Sequence, residues 1–273
     1  LPPQPRLASA QALPARLSAS TVEALRACPY RFFSRAVLRL GEAVELDTDW
    51  QKRDHGNWLH RVLHRFHADR PAPRSADDDL AALQNAAQNE TDALARDAAD
   101  LLPFEAGFAA FATHYVGWLH ERDAQGWRYL EGEAAREKLL PGLDPPVQLM
   151  GRIDRIDAAS DGSHQLIDYK TGSVKELQQR VREPLEDTQL AVYAALAGER
   201  DLQACYLALD DRSPPKDVMH PNVMLSAQTL LRELPRELQA LRDGAAMPAL
   251  GEGRVCETCE ARGLCRRDDW KPL

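Results

Sequence analysis

The sequence of 273 residues is short of features that mark several large classes. It has no run approaching the roughly 18 apolar residues of a membrane span. Nor does a basic start lead into an apolar stretch, so no signal peptide is expected. No Gly-x-x-x-x-Gly-Lys-Ser/Thr occurs, which removes a P-loop motor, and no internal repeat is present. Cysteine is scarce and odd in number, at five, which argues against a pure disulfide framework. Positive charge is in deficit: 34 Lys and Arg against 42 Asp and Glu give a net charge of −8. That disfavours non-specific polyanion binding by the whole chain but leaves a local basic groove open.

What is present supports a folded body. Hydrophobic residues make up 44% of the chain, enough for a proper core in one large domain or two small ones. The expected setting is soluble and cytoplasmic, with no membrane partner. The opening "LPPQPRLASAQALP" begins with Leu rather than Met, in keeping with a domain of a longer polypeptide.

Residues 1–17 read as a linker. Ser20 and Glu23 have capping-box spacing and should start a helix bearing Leu25, Cys28, Tyr30, Phe32 and Phe33, broken or kinked at Pro29. Residues 51–70 place Trp58, Leu59, Val62, Leu63 and Phe66 at helical spacing. Residues 76–100 are rich in Asp and Ala and read as an acidic, solvated helix. Residues 104–122 read as another, with Phe104, Phe108, Phe111, Tyr115, Trp118 and Leu119 as its buried stripe. After Gly126 the pattern turns to strands: "WRYLEGEAAREKLL", "VQLMGRIDRID" and "HQLIDYKTG". A helix over "LEDTQLAVYAALAG", a strand over "LQACYLALD" and an amphipathic helix over 226–243 follow. The order implies an α/β fold, a small mixed sheet flanked by helices, with an N-terminal helical region and a C-terminal cysteine tail.

Within "QLIDYKTG", Asp168 and Lys170 leave the same strand face as Leu166, and buried charge needs a partner. If this strand pairs with "GRIDRID" across a loop centred on Asp161, Asp154 stands opposite Asp168, Cβ atoms about 5 Å apart. A tight Asp161-Gly162 turn would instead set Asp154 against Tyr169, unless a bulge restores the pairing. Two facing carboxylates repel, and a divalent cation between them removes the repulsion. Lys170 could then hold a water or stabilise charge on a phosphoryl oxygen. The plainer alternative is an Asp–Lys ion pair at a strand end. His60, His64 and His67 fall at i, i+4 and i+7; His64 and His67 read as solvated or groove-facing.

"GRIDRID", "LIDYKTG" and "QLAVY", preceded by "GNWLH" at 56–60, together resemble the RecB-type branch of the PD-(D/E)XK nuclease superfamily. The resemblance implies a restriction-endonuclease-like core using Mg²⁺ or Mn²⁺. It implies His60, Asp154 and Asp168 as side-chain ligands and the Tyr169 carbonyl as another. Lys170 would be the catalytic lysine, with Gln189 and Tyr193 positioning it or the strand. Glu131 or Glu133 would supply a further acid, and Glu133 is favoured. The implied activity is metal-dependent DNA hydrolysis, as an exonuclease on single strands or duplex ends leaving 5′-phosphate and 3′-hydroxyl. The implied partner is a helicase subunit or fused helicase-like domain in a repair or recombination system. The rival readings are a non-catalytic DNA-end-binding or scaffold domain and a zinc-stabilised interaction module.

Cys256, Cys259 and Cys265 form a compact group lacking a nearby fourth ligand, while Cys205 reads as a small buried hydrophobe. The pattern of Cys28 with these three is similar to the AddB-type iron–sulfur nucleases, which implies a four-iron, four-sulfur cluster, Zn²⁺ being the alternative. On this reading the domain spans 18–273: a helical part at 18–125, a catalytic core at 126–245 plus the 51–70 helix, and a cysteine tail at 246–273. Basic groups at Arg26, Arg31, Arg35 and Arg39, at Lys52, Arg53, Arg61 and Arg65, and at Arg262, Arg266, Arg267 and Lys271 are candidate nucleic-acid contacts. Tyr30, Phe32 and Phe33 could stack bases.

Overall fold

Ser18, rather than Ser20, starts the first helix: its side chain accepts a hydrogen bond from Thr21 N, and helix α1 (Ala19–Ala27) follows. Glu23 is therefore displaced from the capping position that the Ser20 spacing suggested. Pro29 does end α1, then serves as the first residue of α2 (Pro29–Phe32), where its missing N–H is harmless. These elements belong to a computed structural model that describes residues 1–40, 52–94, 98–182, 187–199, 201–210, 213–257 and 259–270. The side chains of 52, 53, 98–106 and 254 are outside that description, so the expectations for Lys52, Arg53, Phe104 and Lys271 fall outside it too.

The remaining helices are α3 (Lys52–Ala68), α4 (Ala76–Asp92), α5 (Ala98–Ala124), α6 (Val174–Arg180), α7 (Thr188–Ala197), α8 (Val223–Arg242) and α9 (Arg262–Cys265). The strands are β1 (Arg16–Ser18), β2 (Arg128–Leu139), β3 (Gln148–Ala158), β4 (His164–Lys170), β5 (Leu202–Asp210) and β6 (Ser213–Met219). They form one mixed six-stranded sheet in the order β1-β3-β4-β5-β6, with β2 on the other edge of β3. Helices cover both faces, as the α/β order implied. One core joins α1, α7 and α8 to the sheet; the other joins α3, α4 and α5. No helix among the described residues is long and apolar enough to cross a membrane.

Residues 1–17 are not a linker. Leu13 and Leu17 are buried, and β1 pairs in parallel with residues 148–150 of β3. Met247 N and Ala249 N donate to the carbonyls of Pro5 and Pro3. Two apolar residues among prolines and alanines were enough to anchor the segment, because β3 offered an unpaired edge. The acidic α4 is likewise not wholly solvated. Asp79 is fully buried against Arg70 and His120, and Glu90 is buried against Arg61 and Arg65.

β3 is a fork. One edge pairs with β2 along its length. The other pairs with β1 at residues 148–150 and with β4 at residues 155–158, so residues 151–154 have no strand beside them on that edge. Pairing with β4 runs from Ala158↔His164 to Arg155↔Ile167. One further step faces Asp154 with Asp168. The loop is not a tight two-residue turn: Ala159 N bonds Ser163 O, and Gly162 takes φ +85 inside it.

Candidate metal centre and groove

The gap in β3 is where charged side chains gather. Beyond Arg155↔Ile167 the strands diverge, and the Asp154 carboxylate takes the place of a ladder partner. Its Oδ2 accepts a hydrogen bond from Tyr169 N at 2.8 Å. Its Oδ1 lies 3.5 Å from His60 Nδ1. α3 directs His60 here, and the ring packs edge-on to Tyr169 at 5.5 Å. An added Cβ at Gly56, one turn earlier, would meet Thr171 Oγ1 at an ordinary 3.7 Å, so packing alone does not demand glycine there.

β2 supplies the third donor. Register shifts past Tyr129, and Glu133 adopts φ +51, left-handed backbone that a glutamate seldom takes. His60, Glu133 and Asp154 thereby bring one ligand atom each to within 4.8 Å of one another. Glu131 is engaged elsewhere, paired with Arg136. The geometry therefore separates the two glutamates that the sequence left open.

Asp168 stands beside this set rather than inside it. Lys170 Nζ lies 2.6 Å from Oδ2, and Gln189 Nε2 donates to Oδ1 at 2.6 Å. Burial first, and then the charge of Asp154, push Asp168 up to about 7, against the pull of Lys170. For His60, burial disfavours the imidazolium, but the Asp154 hydrogen bond and charge outweigh it and raise its pKa. Gln189 and Tyr193 lie one turn apart on α7, which Asp187 caps at its start and Gly198 ends at φ +71. Gln189 Nε2 also reaches Tyr193 Oη at 3.2 Å. Because β3 is open here, α3 from one layer reaches Asp154 and α7 from the other reaches Asp168. Two carboxylates and an imidazole at this spacing fit a hard or borderline divalent cation, Mg²⁺ or Mn²⁺.

Gly132 was not singled out from sequence, yet the site depends on it. A Cβ there would fall 2.6 Å from Tyr129 Oη, 3.0 Å from His64 Nδ1 and 3.2 Å from the Asp154 carbonyl oxygen. An isolated glycine within a strand was the available signal. His64 lines the groove beside the site, while His67 is buried, contrary to its solvated or groove-facing reading. Behind β3, Arg155 holds Asp157 through Nε and Nη2, Arg122 binds the same carboxylate, and Arg155 Nη1 donates to His67 Nε2. The second aspartate of "GRIDRID" is thus a buried ion-pair partner.

Cys28, Cys256, Cys259 and Cys265 line one small cavity, and all five cysteines are free thiols. Cys205 is fully buried on β5. Arg31 and Arg35 both pair with Glu260 beside the cysteines, and Arg26 pairs with Glu233 and Glu237. These arginines are tied into the protein's own carboxylates. Phe32 is fully buried, which removes it from base stacking.

Residues 16–266 match the family model of the PD-(D/E)XK nuclease superfamily. The chain is 29% identical over 161 residues to an ATP-dependent helicase/deoxyribonuclease subunit of Streptococcus mutans, covering 58% of this chain and 14% of that protein. The corresponding helicase/deoxyribonuclease subunit of Streptococcus agalactiae serotype Ia is 26% identical over 197 residues, covering 70% and 17%. The chain thus spans about a sixth of the length of these relatives.

Proposed function

The chain belongs to the PD-(D/E)XK nuclease superfamily, and from that premise we propose that it is a Mg²⁺- or Mn²⁺-dependent deoxyribonuclease acting as an exonuclease on single strands or duplex ends. The observation that carries this reading is the convergence of His60, Glu133 and Asp154 within 4.8 Å beside the Asp168–Lys170 pair. A cation held by these donors, with Asp168 completing the set, would lower the pKa of water for attack on a phosphodiester. Lys170, with its side chain 28% exposed, faces Asp168 and can hold the attacking water or stabilise charge building on a phosphoryl oxygen. Gln189 fixes the rotamer of Asp168, and Asp154 in turn is oriented by Tyr169 N. The relatives, named as helicase/deoxyribonuclease subunits, support a place beside a helicase, whether as a separate polypeptide or a fused domain.

The four cysteines are read as ligands of a four-iron, four-sulfur cluster. Their support is convergence from both ends of the chain on one cavity without a disulfide. Absorbance near 400 nm with iron and sulfide content distinguishes this from zinc, which is colourless.

The test of the nuclease reading is incubation with labelled single- and double-stranded DNA in Mg²⁺, Mn²⁺ or EDTA. Wild type is expected to cut only with metal, and Asp168→Ala and Lys170→Ala to lose at least about a hundredfold in rate, the scale of a lost charge-stabilising group. Metal-dependent cleavage surviving both substitutions would sink the site assignment.

A further inference from the structure

The groove that opens on His60, Glu133 and Asp154 has a volume of about 680 Å³. Asn57, His60, Arg61, His64, Arg65 and Ala68 of α3 line one side, a stretch of about 17 Å at 1.5 Å per residue. Arg152 stands with Glu133 and Asp154 on the other.

Two arginines in the groove share a single acid. Arg61 Nε lies 3.2 Å and Arg65 Nε 2.7 Å from the two oxygens of Glu90. The Glu90 side chain is only 10% exposed, whereas those of Arg61 and Arg65 are 46% and 45% exposed. One carboxylate balances one guanidinium, so the trio is net positive, in a groove whose other acids are Asp69 and the Glu133 and Asp154 of the candidate metal centre. Glu90 grips each guanidinium at its Nε edge, and a guanidinium has five donors in a fork suited to phosphate. Both guanidiniums are about half exposed and line the groove that opens on His60, Glu133 and Asp154, so their outer donors face the space a substrate would take. Of the arginines of the N-terminal helices, Arg26 is flanked by Glu233 and Glu237, while Arg31 and Arg35 share Glu260 beside the cysteine cavity and do not line this groove.

We infer that Arg61 and Arg65, held in place by Glu90, are a clamp for the phosphates of one nucleic-acid strand flanking the position at His60, Glu133 and Asp154. This rests on the nuclease reading and specifies how its substrate is held. The clamp is separate from the residues that carry the chemistry, and it acts without a cation.

The test is binding of a labelled oligothymidine to the full chain in EDTA, followed by anisotropy across a salt series. Two single-strand phosphate contacts contribute about 1.4 to the slope of log K against log salt, at about 0.7 each. The double variant R61A/R65A is expected to lose that much slope and to bind more weakly, while R61K/R65K retains it. R232A, on the exposed side of α8, is expected to keep the wild-type slope. An unchanged slope in R61A/R65A, or an equal loss in R232A, overturns the clamp. If the double alanine variant does not fold, E90Q decides: freeing the guanidiniums should tighten single-strand binding several-fold, and unchanged or weaker binding overturns the inference. The nuclease reading fails on a different result, the absence of Mn²⁺-dependent cleavage by wild type.

Discussion

Glu133 holds a left-handed backbone in mid-strand, and a non-glycine residue there costs about 1–2 kcal/mol. Placing its carboxylate beside His60 and Asp154 gives that conformation a use. Glu133→Gln is therefore expected to weaken Mn²⁺ binding at least about tenfold by calorimetry, the scale seen when a metal site's supporting group is lost. Glu131→Gln, which only frees Arg136, should leave it unchanged; equal effects would reject Glu133 as a ligand. Its neighbour Gly132 is constrained by space. Gly132→Ala must displace Tyr129, His64 or the Asp154 backbone, and is expected to destabilise the fold by about 1–3 kcal/mol in urea titrations. It should also reduce Mn²⁺ affinity, because the Asp154 backbone is among the atoms displaced.

At the scale of elements, α3 serves two purposes. His60 and His64 face the groove, whereas His67 turns inward among Arg155 of β3, Tyr115 of α5 and Tyr129 of β2. Burial above all, then the charges of Arg155, Arg70 and His64, hold His67 well below the ordinary histidine pKa. The unfolded chain takes up a proton near pH 6.5 that the folded chain refuses. Stability from this group is complete above about pH 6.5 and falls as pH drops below it, by at most about 1.4 kcal/mol per pH unit. Urea midpoints between pH 7.5 and 5.5 (an interval spanning roughly that pKa) should show the loss, and His67→Gln should flatten it. A variant with the wild-type pH dependence would refute this. β1 is a second case of a short element carrying much. Leu17 is fully buried where β1 meets β3, and Leu17→Ala is expected to destabilise the protein by about 2–5 kcal/mol in the same titration. An effect near zero would restore the linker reading of residues 1–17.

Over the whole molecule, the N-terminal segment and the segment after α8 meet. Cys28 at the end of α1 and the three cysteines after α8 share a cavity, and Arg31 and Arg35 reach Glu260 across the same junction. With a cluster bound, this junction would close a loop of more than two hundred residues, and its loss would raise the entropy of both ends. Cys28→Ser is expected to lower the thermal midpoint and to expose the ends to limited proteolysis before the core. A variant as stable and as protease-resistant as wild type would show that the cavity holds no such staple.

The alternation of apolar residues with charges was local information, and it marked β2 to β5, α3, α7 and α8 to within a few residues; the helix read over 76–100 ends at Asp92, and the one read from 104 begins at Ala98. Asp154, Asp168 and Lys170 could be named from strand alternation and pairing, whereas His60, Gln189 and Tyr193 were implied only by the resemblance of their short motifs to a nuclease family. β6 and α6 escaped notice: β6 contains Pro214 and Pro215 and gains its partner only from β5, and α6 is seven residues long. Three decisions belonged to the tertiary structure. It placed Glu133 beside His60 and Asp154 and Glu131 against Arg136, with a register shift and a left-handed residue nearby in β2. It turned His67 inward, since the network around Arg155 and Asp157 is assembled from four elements far apart in sequence. It also opened β3 between β1 and β4, so that helices from opposite layers converge on one pair of carboxylates. Spacing along a chain can say which groups leave one face of a strand, but where a strand loses its neighbour is decided only when the whole sheet is assembled.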